Sequence, residues 1–281
     1  MGLYQVVKRA VPAGWKDQLR CRYHSTKTLP VDIAVRVWNR LSGGDPIPPG
    51  DFIYLVSGHR SASRFLRRGR TASKTIREIL ERNGVEIERF NAILDFGCGV
   101  GRIMRHWGLL RRPALYGTDY NPALVRWCEG NLKFAEFQVN SLSGGLPYEA
   151  ETFDFIYAFS VFTHLSEPLQ FFWINELSRV LKPGGYIYFT THGDFFFPQL
   201  SAEEKEAFLK GRLVVRGGEQ SGSNTCSTYH PTAFVRERLA RDFTVLDFTP
   251  GRAGGDILHD IYLLMKPAHA AAHAPRRKSG A

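Results

Sequence analysis

Short apolar runs bounded by glycine, proline or acidic residues alternate, between residues 70 and 266, with segments whose apolar positions recur every three or four. From Thr71 to Arg82 the positions Ile76, Ile79 and Leu80 fall on one helical face, and Gly84 supplies a stop. The pattern then predicts a strand over 92–97, a helix over 101–110, a strand over 114–119 and a helix opening at Asn121-Pro122, a capping residue followed by a first-turn proline. Strands over 135–140 and 153–160, a helix over 167–181 and a strand over 185–191 come next. A helix from Thr232 to Arg241 and strands over 243–249 and 256–265 close the series. Such alternation implies an α/β fold, a parallel sheet with helices on both faces.

The flanks break this rhythm. Residues 1–50 carry Pro12, Pro30, Pro46, Pro48 and Pro49 and predict one short helix, Val31–Leu41. Residues 51–69 mix aromatic, apolar and basic side chains and are expected to lie over a pocket as a lid. An insertion, 192–230, holds Phe195–Phe197 and small polar residues at Ser221–Thr228, and connections this long tend to shape a binding pocket. The expected organisation is a basic extension and lid at 1–69, a central domain at 70–266 that includes the insertion, and a tail at 267–281 with no core-forming pattern, expected to be disordered.

Charge changes the picture in one place. The net charge is +10, with +9 in residues 1–90, −2 in 91–266 and +3 in the tail. A basic front attracts nucleic acid, acidic glycans, phosphorylated carriers or anionic membrane, or simply solvates the surface. No apolar run reaches the ~18–20 residues that span a bilayer, so no transmembrane segment is expected. The first residues lack the apolar core of a secretory signal, and Val6 stands where a myristoylation signal needs Ser or Thr. Cys21, Cys98, Cys128 and Cys226 form no Cys-x-x-Cys pair and suit reduced thiols in the cytoplasm.

The chemistry concentrates at Ile93-Leu-Asp-Phe-Gly-Cys-Gly-Val-Gly101. An apolar strand runs into Asp95, and Gly97, Gly99 and Gly101 follow at alternate positions, so bare backbone can approach a ligand. Eighteen residues past Gly101 a second apolar run ends in Asp119, the spacing of a carboxylate that grips ribose hydroxyls. A dinucleotide fingerprint needs G-x-G-x-x-G, whereas this frame is G-x-G-x-G with Arg102 at the third dinucleotide position. S-adenosylmethionine has no phosphate and needs a carboxylate near its amino group, a task for which Asp95 is well placed.

At these residues the chain resembles the class I S-adenosylmethionine-dependent methyltransferases over about residues 70–266. Leu94–Arg102 is similar to the family's first motif and Tyr116–Pro122 to its second. Leu146-Pro147 with Thr152–Ser160, and Leu177–Gly185, are similar to the segments leading to the fourth and fifth strands. The resemblance implies a Rossmann-like, seven-stranded, mostly parallel sheet in the order 3-2-1-4-5-7-6, with S-adenosyl-L-methionine as cofactor. It further implies that Asp95 holds the methionyl ammonium and that Gly97, Cys98, Gly99 and Gly101 form the turn beside the cofactor. Asp119 would bind the ribose, Tyr120 lie against the adenine, and Asn140, Ser141 and Leu142 end the third strand beside it. Relatives often carry Asp near Asn140, and an amide oxygen can still accept the adenine amino group. Phe159 and Ser160 would line the far side.

Methyl transfer is an in-line displacement in which alignment supplies much of the acceleration. An oxygen nucleophile must also lose its proton, and His164, after the fourth strand, is the candidate base. His59, Arg60, His192, Tyr229 and His230 are candidate substrate-binding residues. No His, Asp or Glu spacing suggests a metal, so metal-independent chemistry is expected. The favoured acceptor is a small molecule or glycan, methylated at oxygen. An RNA or protein methyltransferase is the alternative within the enzyme class, against which Phe159-Ser-Val-Phe162 stands where many such enzymes carry Asn-Pro-Pro-Tyr. The alternative from another class is a non-catalytic module that binds the cofactor or nucleic acid.

Overall fold

Strand β1, Ala92–Phe96, is buried along its whole length and sets the frame of the molecule. The computed structural model describes residues 30–252 and 257–268. The first 29 residues of the basic extension, Cys21 with them, and the tail from residue 269 lie outside the described residues. β1 pairs in parallel with β2 (Ala114–Asp119) and β4 (Phe153–Ala158), and β2 pairs with β3 (Glu136–Val139). β5 (Leu181–Thr191) follows β4, again in parallel. β9 (Asp260–Met265) runs antiparallel to β5 and to β8 (Thr244–Thr249) at the edge.

The seven strands stand in the order β3-β2-β1-β4-β5-β9-β8. Between β5 and β8 the chain spends β6 (Val214–Arg216) and β7 (Ser227–Tyr229) on a separate hairpin inside the insertion. Counting only strands of the main sheet, the order is the expected 3-2-1-4-5-7-6, the Rossmann-like fold of the class I methyltransferases.

Alternation along β1 divides the core. Ile93 packs with Phe65, Ile76, Ile79 and Tyr188 on one face, and Leu94 and Phe96 pack with Trp173, Leu177 and Phe189 on the other. The first face is covered by helix α3 (Ala62–Arg82), which follows α1 (residues 30–41) and α2 (Gly50–Ser57). The second is covered by α5 (Glu167–Val180). Helix α4 (Pro122–Asn131) starts as expected: the Asn121 side chain accepts the Ala123 amide at 3.0 Å, and Pro122 takes the first turn. A further helix, α6 (Ala202–Leu209), lies in the insertion and packs Phe208 on Leu200, Val214 and Tyr229. No described helix is long and apolar enough to cross a membrane.

Two expectations need correction. The segment 101–110 is not an α-helix but a set of turns around a 3₁₀ piece, Met104–His106. After one bond from the Arg105 amide to the Gly101 carbonyl, His106, Trp107 and Leu110 each bond three residues back. Helix α3 presses on this segment at Gly69, where a Cβ would collide with the Arg102 carbonyl, and the tight coil still buries Ile103, Met104 and Trp107. The helix after the insertion is likewise short: Thr232–Phe234 passes into a π-helical stretch, Val235–Leu239, a rare form often found beside functional sites.

Candidate functional site

Asp95 and Asp119 end neighbouring strands, so the sheet itself brings the two acids to one rim. Asp95 stands opposite Gly117 on one side and Tyr157 on the other. The absence of a side chain at Gly117 leaves space for the Phe137 ring and the Cys98 thiol. Beyond β1 the chain turns through Gly97, Gly99 and Gly101 at φ values of +75°, +55° and +65°. A Cβ at Gly97 would overlap Val161, and one at Gly99 would overlap Val56. Both the φ values and the space therefore require glycine. The Gly97 and Cys98 amides donate to the Thr118 carbonyl at 2.8 and 2.9 Å, closing the turn onto β2.

The turn borders a cavity of about 1080 Å³, somewhat larger than the ~300–1,000 Å³ usual for a ligand site. Asp95, Gly97, Cys98 and Gly99 line it from β1, and Asp119 and Tyr120 from β2. Asn140 and Leu142 line it from the end of β3, and Phe159, Ser160 and His164 from the end of β4. Gly101 and Ser141 stand just behind this wall: a Cβ at Gly101 would strike Leu132, and the Ser141 carbonyl accepts the Asn140 amide at 2.9 Å. Trp173 Nε1 donates to the Leu142 carbonyl at 3.0 Å and fixes that corner to α5.

The electrostatics follow from burial. Asp95 is 3% exposed, and burial raises its pKa to about 7 against the opposing pull of the Tyr157 hydroxyl and the Arg102 charge. Asp119 is also raised by burial, but the Gly99 amide donates to its Oδ2 and the Asn121 amide to its Oδ1, each at 2.9 Å, and both favour the carboxylate. Asn140 gives its Nδ2 to Ser141 while its buried Oδ1 has no partner among the described residues. An orphaned acceptor at the end of β3, two carboxylates and a glycine cradle that a single Cβ would fill suit the adenosine and amino acid ends of S-adenosylmethionine.

His164 is held by the insertion at two points. Its Nδ1 lies 2.7 Å from the Cys226 carbonyl, which can only accept, so Nδ1 carries the proton and a neutral ring has Nε2 bare. Its own carbonyl accepts the Gly222 amide at 2.7 Å. Burial lowers its pKa. Nearby, Ser160 sits at φ +64°, a conformation disfavoured for a residue with a Cβ, steadied by its amide bond to Thr190 Oγ1 at 2.8 Å.

The other expected substrate residues lie around the cavity rather than on its wall. His192 packs edge-on to His164 at 6.4 Å and to His259 at 4.9 Å, with its Nδ1 donating to the Thr228 carbonyl at 3.1 Å. His230 is fully buried against Gln170, and Tyr229 is buried beneath Arg216. Arg60 pairs with Asp51. Burial, with the charges of Arg68, Arg64 and Arg102, brings the pKa of His59 to about 4.

Residues that the motif reading passed over complete the wall. Tyr54 to Gly58 of α2 and its cap roof the cavity, and Asn224 of the insertion donates to the Leu55 carbonyl at 2.6 Å. Arg64, Arg67, Arg68 and Thr71 of α3 line another side, with Arg102, Phe196 and His259. The spacing 64, 67, 68, 71 marks one helical face, a signal present in the sequence. His259 has no local motif to announce it.

A methyltransferase-domain family model matches residues 94–189. A malonyl-[acyl-carrier protein] O-methyltransferase of Paenibacillus sp. (strain JDR-2) is 29% identical over 149 residues, 49% of this chain and 51% of that protein. A phthiotriol/phenolphthiotriol dimycocerosates methyltransferase of Mycobacterium ulcerans is 33% identical over 125 residues, 42% of each. The chain thus spans about half the length of these curated relatives. An S-adenosylmethionine dependent methyltransferase from Mesorhizobium loti shares the fold at a TM-score of 0.53 and 13% identity, over 67% of this chain and 96% of that one. Glycine turn, paired acids, strand order and the matching stretch converge: residues 94–189 are a methyltransferase domain, set in the Rossmann-like fold of the class I S-adenosylmethionine-dependent methyltransferases.

Proposed function

We propose that this protein transfers a methyl group from S-adenosylmethionine to an oxygen of a small-molecule or glycan acceptor. The observation that carries the reading is that Asp95, Asp119, Asn140 and His164 face one cavity. When bound, the cofactor supplies an electrophilic methyl on a sulfonium. Asp95 holds its ammonium, Asp119 its ribose hydroxyls, and Asn140 Oδ1 accepts from its adenine amino group. His164, its Nδ1–H committed to the Cys226 carbonyl, takes the acceptor's hydroxyl proton at Nε2. The roof from α2 and the 222–225 loop covers part of the cavity.

The Paenibacillus relative is named an O-methyltransferase, which supports oxygen as the target atom. The buried free thiols Cys98, Cys128 and Cys226 suit the reducing cytoplasm, where we place the protein. The test is incubation of the full chain with methyl-labelled cofactor and a panel of sugars, phenols and hydroxy acids, alongside bulk RNA and protein. Label on a small hydroxyl compound is expected. Label confined to RNA or protein would move the activity to a macromolecule, and cofactor binding with no transfer to any acceptor would make the chain a binding module.

A further inference from the structure

The α3 wall of the cavity is an arginine face that has no counter-ions among the described residues. Arg64, Arg67 and Arg68 line the cavity from one side of the helix, and Arg102 lines it from the turn below. Among the described residues, none of these four guanidinium groups has a carboxylate within 4 Å or a hydrogen-bond partner. Other arginines of the same chain are paired: Arg82 with Asp247, Arg179 with Glu176, Arg216 with Glu204, Arg238 with Glu167.

Placing like charges at positions 64 and 68 destabilises a helix, because residues four apart face each other. Here the repulsion is left standing and Arg102 is added to it. The Arg102 guanidinium carbon lies over the Phe159 ring at 5.4 Å, and Phe159 in turn lies 6.0 Å from His259. The charges of Arg68, Arg64 and Arg102 all bear on His59, with Asp32 opposing them. Among the described residues, the carboxylates lining the cavity are Asp95 and Asp119. Asp119 already accepts two backbone amides, and Asp95 sits on the cofactor strand.

We propose that, beyond the cofactor's own carboxylate, which falls to Arg102 beside Asp95, the methyl acceptor carries an anionic oxygen group, a carboxylate or a phosphate, held by Arg64 and Arg68. Guanidinium forks match the geometry of both anions and bind them bidentately. Phe159, Phe196 and Ile257 offer the apolar wall for the rest of the molecule. This inference rests on the methyltransferase reading and narrows its acceptor to acidic compounds. The roof formed by α2 favours a small acid over a polymer backbone.

The test uses the full chain saturated with S-adenosylhomocysteine, titrated by calorimetry with octanoate, octyl phosphate and octanol. At least one anion is expected to bind about tenfold or more tightly than the neutral alcohol, with affinity falling as salt rises. Binding of octanoate alone assigns a carboxylate source, and of octyl phosphate alone a phosphate source. The double variant Arg64→Gln/Arg68→Gln should lose about tenfold or more in anion affinity while S-adenosylhomocysteine binds as before. Equal binding of octanol and the anions, or no binding of either anion, overturns the proposal and leaves the cofactor site intact. The wild-type comparison decides the matter even if the double variant does not fold. Failure of S-adenosylhomocysteine itself to bind would instead remove the methyltransferase reading on which the proposal stands.

Discussion

Asp119 Oδ2 accepts the Gly99 amide at 2.9 Å, so the acid that ends β2 also holds the glycine turn that ends β1. One side chain therefore shapes the turn and faces the cavity. Asp119→Ala is expected to weaken S-adenosylmethionine binding by about tenfold to a hundredfold in calorimetry, and to lower unfolding stability by ~1–3 kcal/mol, because the Gly99 and Asn121 amides lose their acceptor. Unchanged affinity would refute the ribose assignment.

The pKa of about 7 at Asp95 gives a pH dependence with a definite sign. The folded value lies above the ordinary carboxylate value of 3.8, so in the free protein this group stabilises when protonated. That contribution is full below the unfolded pKa and is lost as pH rises through about 7. A cationic ammonium needs the ionised form, so affinity for the cofactor should rise about tenfold between roughly pH 6 and pH 8. Asp95→Asn should flatten that rise; an equally steep profile in the variant would assign the titration to another group.

His164→Ala should lower turnover by about 10²–10⁴-fold while cofactor affinity changes little, measured by initial rates and calorimetry on the same preparation. Because burial lowers the His164 pKa below 6.5, the bare Nε2 prevails at neutral pH, and the acid limb of kcat should lie below 6.5. Full activity in the variant would leave the ring a fastener for the insertion, through its bond to the Cys226 carbonyl.

Gly97→Ala places a Cβ against Val161 at a φ of +75°. The expected cost is ~1–2 kcal/mol of stability from the left-handed backbone alone, seen as a lower thermal midpoint, together with loss of cofactor binding. The additional truncation Val161→Ala should recover part of the midpoint but not the backbone term.

How far the chain could be read in advance depended on local signal. β1 and β2 announce themselves because strands buried on both faces are apolar runs, and each ends at an acid. Helix α3 was visible only from Thr71 onward; its first turns, with Arg64, Arg67, Arg68 and Arg70, have few apolar positions, since that face lines a cavity instead of the core. The three-residue strands β6 and β7 are too short to show alternation. His259 reaches the cavity because β9 returns beside β5, a long-range pairing that no neighbouring residue encodes. At 101–110 the spacing of apolar residues fits a helix, yet the close crossing of Gly69 decides otherwise.

The Asn224–Leu55 bond joins positions 169 apart. The stretch that matches other methyltransferases, 94–189, supplies the floor beneath the nucleoside, whereas this ceiling is assembled from two regions outside it. Under the proposed function, the grip on the methyl donor and the choice of acceptor are assigned to separate parts of the chain. Exchanging the ceiling segments for those of another methyltransferase should redirect the choice of acceptor while the floor keeps its grip on the methyl donor.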